Sequence, residues 1–227
     1  LVPHTFPQHE RLSVFGTMIP AAQVGGDLFD CFMLDDHRLA FTIGDVSGKG
    51  IAAALFMAVS RTVLRVAAKK GLSPQDCLLE AHQFLHGERR TTSSYVTCFY
   101  GILDLATGQL TYSRAGHNPP YLVRGNAVQT LDAASGLPLG MLRRVNYDTA
   151  TLQLEPGDTL LLFTDGITEA MNPRLEEYGE ERLMAAAQQT DKLTASAALT
   201  MIMDDVKNFL GSIAPQDDQT LVVLKVG

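Results

Sequence analysis

The sequence has few cysteines, no long hydrophobic run and no excess of basic residues, and each shortage excludes a class of protein. Three cysteines among 227 residues, with no CxxC pair, argue against a disulfide framework or a thiolate zinc site. The longest apolar run, 51–59, falls short of the ~18 residues that span a bilayer. With 18 basic and 25 acidic residues, the net charge is −7, unlike that of a basic nucleic-acid-binding domain. We therefore expect a cytoplasmic globular chain that neither spans a membrane nor binds nucleic acid.

Three catalytic motifs are also missing. No cysteine is followed six residues later by the arginine of a cysteine-phosphatase loop. His82 and His86 have the spacing of an HExxH zinc hydrolase, but the glutamate between them is absent. Segment 44–50 (GDVSGKG) is rich in glycine like a nucleotide-binding P-loop, but its first two glycines are too close together. Gly50 also replaces the Ser or Thr that a P-loop requires, so a nucleotide site is disfavoured.

Hydrophobic patterning predicts strands that come mostly in hairpins and helices that come in two blocks. The predicted strands are 11–19, 28–34, 38–44, 95–105, 109–114, 121–124, 127–131, 145–154, 158–164 and 220–226. The predicted helices are 51–68, 74–86, 180–189 and 193–210, and 44–50 is predicted as a loop. This order favours an α+β fold with antiparallel sheets, and so many strands favour two stacked sheets. No long linker or repeat interrupts the chain, so we expect a single domain over 1–227. Because the first residue is not methionine, we expect this domain to be a piece of a longer protein.

Aspartates lie at the ends of several predicted core strands. Asp27 follows two glycines, Asp45 follows the strand that ends at Gly44, and Asp165 follows the apolar run 160–164. The pair 217–218 comes just before the last strand. Each aspartate alone is ordinary turn chemistry. Gathered together they would repel one another unless a cation neutralised them, and oxygen ligands favour Mg²⁺ or Mn²⁺.

Five motifs, in this order, resemble the serial motifs of bacterial SpoIIE-like (RsbU-like) phosphatases, which belong to the metal-dependent PPM, or type 2C, serine/threonine phosphatases. They are 24–30 (VGGDLFD), 44–50 (GDVSGKG), 115–120 (AGHNPP), 164–170 (TDGITEA) and 217–220 (DDQT). The resemblance runs from about residue 12 to 226, which is nearly the whole chain. It implies a four-layer αββα sandwich in which two antiparallel sheets are flanked by helices.

The resemblance also implies a site for two divalent cations, Mg²⁺ or Mn²⁺. By that similarity Asp45 would bridge both cations, and Asp165 and Asp217 would complete the ligands of the first. Asp27 would serve the second, directly or through water, and the Val46 backbone carbonyl would bind it too. Asp45 and Asp165 would be catalytic through the water that the cations activate. A bridging hydroxide would then attack phosphoserine or phosphothreonine without a covalent phosphoenzyme.

Several neighbouring residues have alternative roles. Asp218 is the alternative to Asp217 as a ligand, and Asp30 is expected to have a supporting or structural role. Glu169 is explained equally well by the family motif and by a helix start. Lys49 stands where many type 2C enzymes carry a proton-donating histidine, so a metal-bound water would donate instead. His117 is a weak substitute for that donor, and its alternative is a structural role in a turn.

The resemblance implies further partners. Arg11 is the only arginine before Asp27, so the group that grips the substrate phosphate is not identified. The expected substrate is a phosphorylated STAS-domain protein, an anti-sigma-factor antagonist, in a bacterial partner-switching circuit. An upstream sensor or regulatory domain is expected in the same protein, which could be anchored in a membrane, and homodimerisation is left open. The alternative is a catalytically degenerate module that only binds a phosphoprotein.

Overall fold

The computed structural model describes residues 2–88 and 94–227, and the chain forms two compact units. The first unit contains Gly26–His117, Asp132–Leu154 and the segment before Gln8. The second contains Gln8–Gly25, Asn118–Leu131 and Glu155–Gly227. Each unit has one five-stranded antiparallel sheet with its own helices. The predicted α+β class is therefore confirmed.

The sheet of the first unit has the strand order β2-β3-β4-β5-β8. Its elements are β2 (Leu28–Met33), β3 (Arg38–Val46), α1 (Ile51–Lys69), α2 (Pro74–Glu88), β4 (Val96–Asp104), β5 (Gln109–Ala115) and β8 (Thr149–Gln153). One face of α1 packs into the unit's apolar core through Ala53, Met57 and Leu64. The Ser73 hydroxyl caps α2 by accepting the Asp76 N–H at 3.2 Å, as the Ser-Pro start predicts.

Helix α1 is the one helix in the described ranges whose length and composition would allow it to cross a membrane. Two arginines interrupt its apolar sequence, and both pair with a carboxylate on β2. Arg61 lies 3.2 Å and Arg65 lies 3.0 Å from the Asp30 carboxylate oxygens. With its inner residues in the core and its arginines in ion pairs, α1 has the contacts of a core helix in a globular unit.

Two strand predictions in the first unit need correction. Strand β3 does not end at Gly44 but continues through Val46, because Asp45 and Val46 still pair with β4. Strand β8 begins at Thr149 rather than at residue 145. The preceding segment turns to the 135–136 loop instead, where the Asp148 N–H donates to the Ser135 carbonyl at 2.9 Å.

The sheet of the second unit has the order β1-β10-β9-β6-β7. Its elements are β1 (Leu12–Ile19), β6 (Tyr121–Arg124), β7 (Ala127–Thr130), β9 (Thr159–Phe163), α3 (Asp165–Thr168), α4 (Gly179–Gln188), α5 (Ala195–Leu210) and β10 (Gln219–Val226). The apolar core joins β9 and β10 to α4 and α5 through residues such as Leu161, Val223 and Ile202. The short helix α3 was not predicted, since four residues are too few for a hydrophobic period to be recognised.

Candidate functional site

In the first unit, Asp27 and Asp45 lie at the same end of two neighbouring strands. The last residue pair between β2 and β3 is Leu28 with Gly44, so Asp27 and Asp45 occupy the next position of the same register. Adjacent strands are ~4.8 Å apart, which places the two residues side by side. Asp27 is only 2% exposed and Asp45 is half-buried. The fold thus brings together two carboxylates that are eighteen positions apart in the chain.

The Val46 carbonyl belongs to the same strand end. A Cβ on Gly26 would lie 3.2 Å from the Val46 carbonyl oxygen, so the Gly26 backbone approaches this oxygen closely. The two residues before β2 therefore line up with the last two residues of β3. This arrangement places Asp27, Asp45 and one backbone oxygen in one small region of the first unit.

In the second unit, a close backbone approach joins the other two predicted aspartates. Asp165 begins α3, and the Thr164 N–H before it donates to the Thr220 carbonyl at 3.1 Å. A Cβ on Gly166 would lie 2.0 Å from the Asp218 carbonyl oxygen and 3.3 Å from the Asp217 carbonyl carbon. Glycine is therefore needed at position 166 to let the segments of Asp165 and Asp217 run side by side.

The two aspartates that precede β10 differ in their surroundings. The Asp218 carboxylate is 8% exposed and accepts the Ala21 N–H at 2.8 Å. One of its oxygens lies 2.6 Å from the position that a Cβ on Gly25 would take. Asp218 therefore packs closely against the segment that follows β1. Asp217 is half-buried and accepts the N–H of its own neighbour at 2.9 Å. Asp218 is therefore the more buried of the two, and its carboxylate holds the backbone at Ala21.

Asp30 has the structural role that the sequence suggested. It is 2% exposed, and its carboxylate is neutralised by Arg61 and Arg65 from α1. The Arg65 guanidinium also lies 4.4 Å from the centre of the Phe32 ring. This group ties α1 to β2, and the sequence provided no signal that the two arginines would meet Asp30.

Three other residues that the sequence analysis singled out are exposed. Glu169 is exposed at the C-terminal end of α3, and Lys49 is exposed in the loop before α1. Arg11 precedes β1 at the end that pairs with Val226, whereas the Asp217 segment adjoins the opposite end, where Ile19 pairs with Gln219. An eight-residue strand is ~25 Å long, so within this unit Arg11 is far from Asp217.

The histidines on α2 do not form a zinc site. His82 is buried and its Nδ1 accepts the Gly140 N–H at 3.1 Å, while His86 Nδ1 lies 3.3 Å from the Gly140 carbonyl. Burial, with His86 nearby, lowers the pKa of His82, which keeps it neutral. The pair therefore anchors the loop around Gly140.

A cysteine nucleophile is excluded by burial. Burial raises the pKa of Cys98 to about 12 and that of Cys77 to about 11, and it also raises the pKa of Cys31. All three are free thiols inside the protein. Because only the thiolate is an effective nucleophile, none of them suits covalent catalysis.

The donors in each unit have the chemistry that a hard divalent cation requires. They are carboxylate and carbonyl oxygens, with no thiolate or imidazole among them. Each unit by itself supplies two of the predicted carboxylates. Among residues 2–88 and 94–227, no three His, Cys, Asp or Glu side chains form a group that could hold a metal ion.

Sequence reasoning missed Thr97. This residue pairs with Asp45 across β3 and β4, and its hydroxyl contacts the Asp45 backbone and the His117 ring. Nothing in the local sequence marks this threonine, because its importance depends on the strand register.

Comparisons with known proteins agree with this architecture. The family model for stage II sporulation protein E (SpoIIE) matches residues 35–227. Phosphoserine phosphatase RsbU of Bacillus subtilis is 31% identical over 228 residues, which cover 96% of this chain and 64% of RsbU. Protein IcfG of Synechocystis sp. is 30% identical over 255 residues, which cover 98% of this chain and 39% of IcfG. The chain thus spans less than two thirds of the length of either relative.

A solved structure shows the same fold. The SiaA-PP2C domain of Pseudomonas aeruginosa superposes with a TM-score of 0.85 at 20% identity, covering 93% of this chain and 85% of that domain. The family match covers most of the chain, and the fold agrees with it independently. The chain therefore belongs to the SpoIIE family and has the PP2C fold.

Proposed function

We propose that the chain hydrolyses phosphoserine or phosphothreonine on a bacterial regulatory protein. The observation that carries the proposal is the family match over residues 35–227, together with the placement of Asp27 beside Asp45 at one strand end. The named activity of RsbU, a phosphoserine phosphatase, supports the same reaction. The substrate we propose is a phosphorylated STAS-domain anti-sigma-factor antagonist.

The ligands that we propose for two divalent cations, Mg²⁺ or Mn²⁺, are Asp27, Asp45, the Val46 carbonyl, Asp165 and Asp217. When bound, such cations lower the pKa of a water molecule and offset the charge on the phosphoryl oxygens.

The fold of the chain holds these ligand oxygens in position before any cation binds. Asp45 is held by the β3–β4 pairing, and Asp165 by the bond between Thr164 and Thr220. Burial of Asp27 keeps its carboxylate in a restricted environment with little water. Preorganised groups of this kind lose little freedom when ligands bind.

The wider setting is also a proposal. We propose that both units act as one phosphatase domain in the cytoplasm, within a longer protein that carries an upstream sensor. The three free, buried thiols suit a reducing compartment. Homodimerisation would be one way for such a sensor to act on the domain.

The test is dephosphorylation of a phosphoserine STAS-domain protein with and without Mn²⁺. Asp45→Asn and Asp165→Asn remove one charge each from the proposed ligands, and we expect both to lose most of the turnover. Asp36→Asn, at an exposed turn, is the matched control and should behave like the wild type. Full turnover in folded Asp45→Asn and Asp165→Asn variants would overturn the proposal.

The alternative function, a phosphoprotein-binding module without catalysis, predicts a different result. The absence of any group of three metal-ligating side chains in the described residues is the observation that favours it. In that case the wild type would bind the phosphoprotein and release no phosphate at any Mn²⁺ concentration.

A further inference from the structure

A partly buried chain of hydrogen bonds connects a histidine to the backbone of Asp45. Asp45 pairs with Thr97 across β3 and β4, and the Thr97 hydroxyl oxygen accepts the Asp45 N–H at 3.3 Å. The same hydroxyl lies 2.9 Å from Nδ1 of His117 and 3.4 Å from the Asp45 carbonyl oxygen. All three residues belong to the first unit.

The hydroxyl of Thr97 has one proton to donate. One of its lone pairs already accepts the Asp45 N–H, so the proton goes either to His117 Nδ1 or to the Asp45 carbonyl. The contact with His117 is shorter by half an ångström, 2.9 against 3.4 Å, and lies well within hydrogen-bond distance. In the first case His117 accepts at Nδ1, and in the second its Nδ1–H donates to the remaining lone pair of the hydroxyl. In both cases the Thr97 hydroxyl joins the His117 ring to the Asp45 backbone.

His117 is itself held firmly. It is 3% exposed, and its backbone carbonyl accepts a hydrogen bond from Arg114 Nη1 at 2.8 Å. Arg114 Nε donates to the Ala134 carbonyl at 3.0 Å, so one guanidinium clamps the segment after β5 at two points. A bridge between Cys98 and Gly116 keeps this segment alongside β4. The imidazole is therefore a rigid support for the Thr97 side chain.

We propose that His117 is a positioning residue, acting through the Thr97 hydroxyl to fix the Asp45 backbone and with it the direction of the Asp45 carboxylate. The inference rests on the proposed function, because it takes Asp45 to be a cation ligand. Some residues orient a metal ligand by hydrogen bonding to it without touching the metal. Their removal typically lowers metal affinity by about 10- to 100-fold. In this view His117 neither touches the substrate nor transfers a proton.

The first experiment measures Mn²⁺ binding to the whole 227-residue chain by calorimetry. His117→Ala and Thr97→Val should each weaken Mn²⁺ binding by about tenfold, and the double variant should be no weaker than either single one. His117→Asn keeps a hydrogen-bonding atom near the position of Nδ1, and Thr97→Ser keeps the hydroxyl, so both should bind Mn²⁺ nearly as the wild type does. If His117→Ala does not fold, His117→Gln takes its place, because its amide extends toward the position of Nε2.

A second measurement needs no metal. Amide hydrogen exchange at Asp45 in the metal-free protein should be faster in His117→Ala and Thr97→Val than in the wild type, and near normal in His117→Asn. Nitrogen NMR of the His117 ring identifies which ring nitrogen carries a proton, and a hydrogen-bonded Nδ1 in the wild type should lose that signature in Thr97→Val.

The outcomes separate this inference from the proposed function. Unchanged Asp45 exchange and unchanged Mn²⁺ affinity in His117→Ala would overturn the positioning role alone. A His117→Ala variant with normal Mn²⁺ affinity, but with reduced turnover and an altered pH profile, would make His117 a proton donor and would also overturn it. If the wild type neither binds nor needs a divalent cation, the proposed function fails, while Asp45 exchange still decides whether the hydrogen-bonded chain exists.

Discussion

Replacing Gly166 by alanine should strongly destabilise the second unit. The new Cβ would lie 2.0 Å from the Asp218 carbonyl oxygen, whereas contacts under 3.0 Å are essentially never seen. One of the two segments must therefore move by about 1 Å, since a backbone oxygen cannot rotate away as a side chain can. Overpacking of this kind costs about 1–3 kcal/mol, and the absence of a flexible neighbour places this site at the upper end. A loss of ~3 kcal/mol corresponds to a fall in Tm of about 6–12 °C for a chain of this length.

The assay is thermal unfolding followed by circular dichroism, with Gly87→Ala as the matched control. Neither glycine has a positive φ, so alanine can adopt the backbone conformation at both positions. Gly87 lies in α2, and no atom of residues 2–88 or 94–227 lies within 4 Å of its Cβ position, so its replacement should leave Tm unchanged or raise it slightly. If Gly166→Ala melts at the same temperature as Gly87→Ala, the close approach of the Asp165 and Asp217 segments is refuted.

Three further predictions concern the first unit. Burial lowers the pKa of His82 below its usual 6.5, so the unfolded chain binds the proton more readily than the folded one. The contribution of His82 to stability should therefore decrease as the pH falls below about 6.5 and be constant between about pH 7 and 8. Urea unfolding at several pH values checks this, and His82→Asn should show a weaker dependence. Asp30→Ala removes the carboxylate that Arg61 and Arg65 share, and it should lower the free energy of unfolding by about 3 kcal/mol. Denaturant titration measures this loss, and a value below half of it would contradict the prediction. Burial raises the pKa of Cys77 to about 11, which keeps this thiol in its unreactive protonated form. A disulfide reagent should therefore modify none of the three buried cysteines in the native protein and all three in guanidinium. Rapid labelling of the native protein would contradict this prediction.

Much of the fold was predictable because its elements carry strong local signals. The Ala-rich helix α1 and the Ser-Pro start of α2 were located to within one or two residues. The prediction failed where tertiary contacts override local pattern. The segment before Thr149 looks like a strand but follows the 135–136 loop, and β3 runs two residues further because β4 lies beside it.

For the candidate site too, some features follow from local sequence and others only from tertiary contacts. The sequence alone led to the chemistry that we propose, since glycine-flanked aspartates at strand ends, in the order of five motifs, resemble those of a metal-dependent phosphatase. It did not determine that the Asp218 carboxylate accepts the Ala21 N–H, nor that the Thr97 hydroxyl lies between the Asp45 backbone and the His117 ring. Only the tertiary structure decided these points, because strand register and close backbone approaches, as at Gly166, place residues together that are far apart in the chain.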